Sequence, residues 1–121
     1  MPLRILVVDD SIVTRSLIQE FSECFGHQVV AEAATLTAAV AAYKEHKPDL
    51  VTLDLSLADG DGLAVLKALR RIDPAARVLV VSGNVQQAVH DEVRDAGAAG
   101  FLSKPFTLDD LGRALTRFSQ G

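Results

Sequence analysis

The sequence of 121 residues has the length of one ordinary domain. Its formal net charge is −4 and its basic residues are scattered, so we expect no nucleic-acid binding by this domain. A single cysteine, Cys24, cannot form an intrachain disulfide, which fits a reducing compartment. The longest apolar runs are too short to span a membrane, and the first residues lack a signal-peptide pattern. We therefore expect a cytoplasmic protein with no membrane contact.

Short apolar runs alternate with longer amphipathic stretches along the whole chain. The runs are mostly continuous and β-branched, which is typical of strands covered on both faces of a parallel sheet. The predicted strands cover residues 5–8, 29–31, 50–53, 78–81 and 100–102. The order βαβαβαβαβα predicts one α/β domain over residues 1–121, with right-handed crossovers and helices on both faces.

Apolar residues spaced three or four apart predict the buried faces of five helices. These faces are, in chain order, Val13/Leu17/Phe21/Cys24, Leu36/Val40/Tyr43, Leu63/Leu66/Leu69, Val85/Val89/Val93/Ala96 and Leu108/Leu111/Leu115/Phe118. Cys24 is accordingly predicted to be a small core residue. The predicted helix ends include C-caps at Gly26 and Gly97 and N-caps at Asp61 and Thr107. The histidines His27, His46 and His90 are interpreted as solvated.

Polar residues stand at the carboxyl ends of four predicted strands, where open parallel sheets bind their ligands. Asp9 and Asp10 follow the first strand, Asp54 follows the third, Ser82 ends the fourth and Lys104 follows the fifth. Taken singly, the aspartates could be turn or cap residues and Lys104 a surface ion-pair partner. Together, three carboxylates in one crevice would repel each other unless a cation neutralised them, and oxygen ligands favour Mg²⁺. A cation, a lysine, a hydroxyl and a carboxylate nucleophile can move a phosphoryl group.

The chain resembles the receiver domains of bacterial two-component response regulators over nearly its whole length. The motifs that carry the resemblance are Val7-Val8-Asp9-Asp10-Ser11, Leu53-Asp54, Asp61-Gly62, Val81-Ser82-Gly83 and Gly100-Phe101-Leu102-Ser103-Lys104-Pro105-Phe106. The resemblance implies a flavodoxin-like fold with strand order 2-1-3-4-5. It also implies a phosphorylation-dependent signalling switch, not a conventional enzyme, that assists its own phosphorylation and dephosphorylation.

The same resemblance implies a role for each site residue. Asp54 would accept a phosphoryl group from a sensor histidine kinase, a histidine phosphotransfer protein or a small phosphodonor. Asp10, Asp54 and the main-chain carbonyl of Ser56 would bind Mg²⁺, and Asp9 would hold the ion through water. Ser82 and Lys104 would contact phosphoryl oxygens, and the bond from Lys104 to Pro105 would be cis.

Phe101 stands at the family's switch-aromatic position, so we expect Ser82 and Phe101 to report phosphorylation to the surface. An effector protein would bind the face formed by the fourth helix, fifth strand and fifth helix. In the loop after the third strand, Ala58 replaces the usual proline, and Gly60 and Gly62 flank Asp61. That loop is expected to be looser. Ser56 and Asn84 occupy positions that influence phosphoryl loss.

Three other functions remain open from the sequence. A phosphohydrolase of the haloacid-dehalogenase type would need a second acid two residues after Asp54, where Ser56 stands. An FMN carrier would need a phosphate loop after the first strand, where Asp9 and Asp10 would repel phosphate. A degenerate receiver would only mediate contacts. The start at Met1 and the lack of a linker after the last helix favour a single-domain regulator over a fragment.

Overall fold

Five parallel strands form the centre of the molecule in the computed structural model, which describes residues 2–57, 62–83 and 86–120. The strands are β1 (Arg4–Val8), β2 (Gln28–Ala33), β3 (Leu50–Leu53), β4 (Val78–Ser82) and β5 (Gly100–Ser103). The helices are α1 (Ile12–Cys24), α2 (Leu36–His46), α3 (Gly62–Ile72), α4 (Gln87–Asp95) and α5 (Leu108–Ser119). The sheet order is β2-β1-β3-β4-β5, which confirms the predicted fold and strand order.

The sheet divides the apolar core into two layers. One face of the sheet packs against α2, α3 and α4 through residues that include Leu6, Val8, Leu66 and Val93. The other face packs against α1 and α5 through residues that include Ile5, Ile18, Leu79, Leu111 and Leu115. Every residue of β3 and β4 is buried. Their continuous apolar sequences therefore reflect coverage on both faces, as predicted.

The helix boundaries confirm several predicted caps. Gly26 and Gly97 have φ angles of 84° and 100°, a region that glycine enters without the steric cost of a Cβ. Thr107 begins α5 with a capping box: its hydroxyl accepts from the N–H of Asp110, and its own N–H donates to Asp110 Oδ2. These hydrogen bonds lower the pKa of the Asp110 carboxyl. The predicted cap at Asp61 lies outside the described residues.

The predicted buried face of α1 is wrong at three of its four positions, whereas Phe21 is partly buried and packs against the core. Ile18 and Ser22 are the buried residues of this helix, whereas Val13 and Leu17 are 67% and 38% exposed. Cys24, predicted to be in the core, is exposed. The physical reason is that α1 carries apolar residues around more than one face, so their spacing does not determine which face meets the sheet. The small Ser22 is completely buried, and a hydrophobicity pattern gives no weight to a small polar residue.

The interpretation of the histidines as solvated is wrong for two of them. His27 is buried, and its Nδ1 accepts a hydrogen bond from the N–H of Leu3 at 2.9 Å. His90 is half-buried and stacks on Phe101. Both rings are covered by residues distant in sequence, which local spacing cannot reveal. His46 remains partly exposed.

None of the helices within the described ranges is both long and apolar enough to cross a lipid bilayer.

Candidate functional site

Three aspartates converge at the carboxyl edge of the sheet. Asp9 and Asp10 follow β1, Asp54 follows the neighbouring β3, and the N–H of Asp54 donates to the carbonyl of Val8 at 2.9 Å. One carboxylate oxygen from each aspartate lies within 4.8 Å of the others. Asp9 and Asp54 are only 1% and 6% exposed, whereas Asp10 is exposed. The cluster therefore places two buried carboxylates beneath an accessible one.

Lys104 neutralises part of this cluster from the end of β5. Its Nζ donates to Asp9 Oδ2 at 3.0 Å and to Asp54 Oδ2 at 3.2 Å. Burial by itself lowers the pKa of Lys104, but the hydrogen bonds and charges of Asp9 and Asp54 outweigh it and raise the pKa above its ordinary value. The peptide bond between Lys104 and Pro105 is cis, as predicted. A single ammonium faces three carboxylates, so the cluster keeps a negative charge.

Main-chain hydrogen bonds fix the orientation of both buried carboxylates. Asp9 Oδ1 accepts from the N–H of Ser11 at 2.8 Å, and Asp54 Oδ1 accepts from the N–H of Ser56 at 3.0 Å. Each buried carboxylate thus has one oxygen on the main chain and the other on Lys104. The carboxylate of Asp10 forms no hydrogen bond or ion pair with the part of the chain that the structure describes. It is therefore the oxygen donor most available to a ligand.

The donor set suits a hard divalent cation. Carboxylate and carbonyl oxygens with room for water are the ligands that Mg²⁺ takes, whereas structural zinc prefers thiolate and imidazole. All the side chains of the acidic cluster are aspartates. The exposed Ser56 follows Asp54 by two residues, where its main-chain carbonyl can complete such a set. The residues present fit Mg²⁺.

The two predicted switch residues occupy different surroundings. Ser82 ends β4, is completely buried, and accepts a hydrogen bond through its main-chain oxygen from the N–H of Lys104 at 3.0 Å. Phe101 lies on β5 and packs against the core layer on the α4 side. The ring of Phe101 stacks on His90 of α4, with centroids 3.8 Å apart and planes 27° apart. The sequence analysis did not anticipate this contact.

Two further residues beside the site were also missed. Arg15 of α1 donates from Nη1 to the main-chain oxygen of Asp9 at 2.7 Å, and from Nε to Glu32 of β2 at 2.9 Å. The sequence carries no signal for this pair, because Glu32 is exposed on the edge strand β2, where a charged residue needs no partner. Ala58, Gly60, Asp61, Asn84 and Val85, which the sequence analysis singled out, lie outside the described residues.

Comparisons with known proteins agree with this architecture. The family model for the response regulator receiver domain matches residues 5–116. The chemotaxis protein CheY of Bacillus subtilis is 40% identical over 117 residues, covering 97% of this chain and 98% of that protein. Sporulation initiation phosphotransferase F of the same organism is 32% identical, covering 95% and 92%. The crystal structure of a CheX–CheY–BeF3–Mg²⁺ complex from Borrelia burgdorferi has a TM-score of 0.91 at 30% identity, covering 98% of this chain and 90% of that one.

Proposed function

Because the chain belongs to the response regulator receiver domain family, we propose that it is a signalling switch in which Asp54 accepts a phosphoryl group with Mg²⁺. The observation that carries the proposal is the bridge from Lys104 to both Asp9 and Asp54 beside the accessible Asp10. This arrangement combines a nucleophile, a fixed positive charge and a cation site in one crevice. Receiver domains are generally signalling domains and not conventional enzymes.

The chemistry follows from the surroundings of Asp54. A carboxylate oxygen of Asp54 attacks the phosphorus of a phosphohistidine, a P–O bond forms, and the P–N bond to the donor imidazole breaks. The negative charge of the transferred group needs positive partners, which Lys104 and a bound Mg²⁺ supply. Asp10, Asp54 and the main-chain carbonyl of Ser56 would ligate the ion, and Asp9 would hold it through water. The domain in this way assists its own phosphorylation and the later hydrolysis of the acyl phosphate.

The proposed output is a change in the surface built from α4, β5 and α5. Ser82 ends β4 at the site, and Phe101 lies on the adjacent β5, where the two strands pair residue by residue. A hydrogen bond from Ser82 to a phosphoryl oxygen would bias the position of Phe101, which contacts α4 through His90. The partners are a sensor histidine kinase or histidine phosphotransfer protein and a downstream effector. The similar CheY complex from Borrelia burgdorferi contains BeF3 and Mg²⁺, which is consistent with this chemistry.

An apolar surface borders the site where a phosphodonor would approach. Ile12 and Val13 begin α1, separated from Asp10 by the N-cap Ser11, and are 68% and 67% exposed. Large exposed apolar side chains beside a reactive group are suited to docking a partner protein. We expect this end of α1 to contact the histidine kinase or phosphotransfer protein during transfer.

Intact mass spectrometry with acetyl phosphate tests the proposal. The wild-type protein should gain a single phosphoryl adduct that requires Mg²⁺, and Asp54→Asn should gain none. If neither an adduct nor Mg²⁺ binding appears, the chain is a degenerate receiver that only mediates contacts. Release of phosphate without an adduct would leave a short-lived receiver or a phosphohydrolase. Beryllofluoride trapping with Mg²⁺ would then separate an unstable adduct on Asp54 from an absent one.

A further inference from the structure

Arg15 makes two hydrogen bonds that hold its side chain against the protein instead of leaving it in solvent. It lies on α1, one turn after the helix begins at Ile12, and its side chain is only 18% exposed. Nη1 donates to the main-chain oxygen of Asp9 at 2.7 Å, and Nε donates to Glu32 Oε1 at 2.9 Å. A planar guanidinium with two occupied donors is held rigidly, because its fork geometry is fixed.

The carbonyl that Arg15 holds belongs to the peptide bond between Asp9 and Asp10. Every other polar group of Asp9 is already used: its N–H donates to the carbonyl of Ala33, and its two carboxylate oxygens accept from Ser11 and Lys104. The contact from Arg15 restrains the plane of the peptide from which Asp10 follows. Asp10 is the exposed carboxylate of the cluster and has no side-chain partner among the described residues. Its position therefore depends on its backbone.

The positive charge of Arg15 by itself would weaken cation binding at the aspartate cluster. A guanidinium beside the carboxylate cluster opposes the approach of a second positive charge. Glu32 offsets this effect, since its carboxylate lies 2.9 Å from the Arg15 guanidinium. The pair thus contributes two fixed hydrogen bonds with little net charge.

We propose that Arg15 is a positioning residue for the Mg²⁺ site, and the inference rests on the proposed function. Arg15 holds the Asp9 carbonyl so that the carboxylate of Asp10 stays within reach of Asp54. Arg15 does not touch the ion. Partners of this indirect kind change metal affinity by about 10- to 100-fold when they are removed.

The test is the Mg²⁺ dissociation constant of purified protein, measured by calorimetric titration for wild type, Arg15→Met and Arg15→Lys. Coulomb repulsion alone predicts tighter binding for Arg15→Met and unchanged binding for Arg15→Lys, which keeps the charge. Positioning predicts the opposite sign, with binding about tenfold weaker for Arg15→Met. Arg15→Lys should also bind more weakly, because one ammonium does not reproduce the two-donor fork.

A matched control is Arg4→Met. Arg4 also donates from Nη1 to a main-chain oxygen, that of Lys47 at 3.1 Å, but it lies at the opposite end of β1. Its Mg²⁺ affinity should equal that of wild type. Circular dichroism of each variant confirms that the measurement is made on folded protein, and Arg15→Lys preserves the test if Arg15→Met fails to fold.

The outcomes distinguish the positioning role of Arg15 from the proposed phosphorylation switch on which it rests. If wild type binds Mg²⁺ and both Arg15 variants bind it equally well or more tightly, Arg15 is not a positioning residue. The phosphorylation switch would still stand. Wild type that binds no Mg²⁺ would overturn both. In the metal-free protein, NMR order parameters of the Asp10 amide provide an independent measurement. They should fall in Arg15→Met and stay unchanged in Arg4→Met.

Discussion

The imidazole of His90 stacks on the ring of Phe101, with 3.8 Å between their centroids and 27° between their planes. Stacked aromatic pairs contribute about 0.5–1.5 kcal/mol beyond the area they bury. We expect His90→Ala and Phe101→Leu to be coupled by that amount in a double-mutant cycle of urea unfolding. Additive effects of the two substitutions would mean that the stack does not hold Phe101.

The same pair makes a prediction about switching. If phosphorylation moves Phe101 away from His90, the stack stabilises the unphosphorylated state. His90→Ala should then bind beryllofluoride with Mg²⁺ more tightly, by up to about tenfold, which corresponds to about 1.4 kcal/mol. An unchanged beryllofluoride affinity would indicate that Phe101 keeps its contact with His90 in both states.

Gly62 begins α3 in close contact with the backbone that carries Asp54. A Cβ at Gly62 would lie 2.5 Å from Leu55 Cα and 2.7 Å from the Asp54 carbonyl oxygen. We expect Gly62→Ala to lower the free energy of unfolding by about 1–3 kcal/mol and to slow phosphorylation, because backbone atoms must shift. Gly83→Ala is the control, since a Cβ there meets nothing within 4 Å. Equal stability of the two variants in urea would contradict the close contact.

The sequence predicts the sheet and the converging site because both depend on strand ends. β3 and β4 are mostly apolar and completely buried, and once such strands pair in parallel, Asp54 and Lys104 reach the same edge as Asp9. No detailed packing is needed for that conclusion. The role of each site residue came from the family resemblance and stays a prediction.

The contacts that the sequence misses depend on how each helix is rotated about its own axis. Ile18 faces the core and Val13 faces outward because α1 docks through a face containing the small Ser22. The same rotation brings Arg15 to the Asp9 carbonyl. The rotation of α4, in turn, places His90 on Phe101. Apolar spacing fixes such a rotation only where one stripe is apolar, as in α3 with Leu63, Leu66 and Leu69.

Asp10 should destabilise the fold when no cation is bound. Its carboxylate oxygen lies within 4.8 Å of those of Asp9 and Asp54, and it has no partner among the described residues. Asp10→Asn should raise the free energy of unfolding by about 1 kcal/mol without Mg²⁺, the repulsion expected near water. Mg²⁺ should stabilise wild type by mass action, and Asp10→Asn should lose most of that effect.

Urea unfolding with and without MgCl2 measures both parts of this prediction. Asp95→Asn is the control, because Asp95 is exposed on α4 and its ion pair among the described residues is a weak one with Arg94 at 3.8 Å. A lower stability of Asp10→Asn without Mg²⁺ would mean that the three carboxylates do not repel one another.

His27 should make the protein less stable as the pH falls. Burial lowers the pKa of His27 below its ordinary 6.5, and its Nδ1 accepts from the N–H of Leu3, so the fold favours the neutral ring. The unfolded chain binds the proton more strongly. The contribution is therefore complete above pH 6.5 and is lost as the pH falls through the lowered pKa. His27→Ala should be less stable at neutral pH and less sensitive to acid than wild type, which urea unfolding at several pH values measures.

Tyr43 provides an optical test of a buried contact. It is the only tyrosine of a chain without tryptophan, so phenolate absorbance reports this residue alone. Burial and a 2.8 Å hydrogen bond to Asp73 Oδ2 raise its pKa from 10.0 to about 12. Because the fold prefers the protonated phenol, its contribution to stability is present below pH 10.0 and is lost as the pH rises towards about 12.

An alkaline absorbance titration, with circular dichroism recorded at each pH, measures this shift. Asp73→Asn should lower the pKa of Tyr43 but leave it above 10.0, because burial is the larger cause and remains. The same substitution removes a charged acceptor, so we expect it to lower the free energy of unfolding at neutral pH. A midpoint equal to that of the urea-unfolded chain, measured while the protein is still folded, would mean that Tyr43 is solvated and that α2 does not contact Asp73 through it.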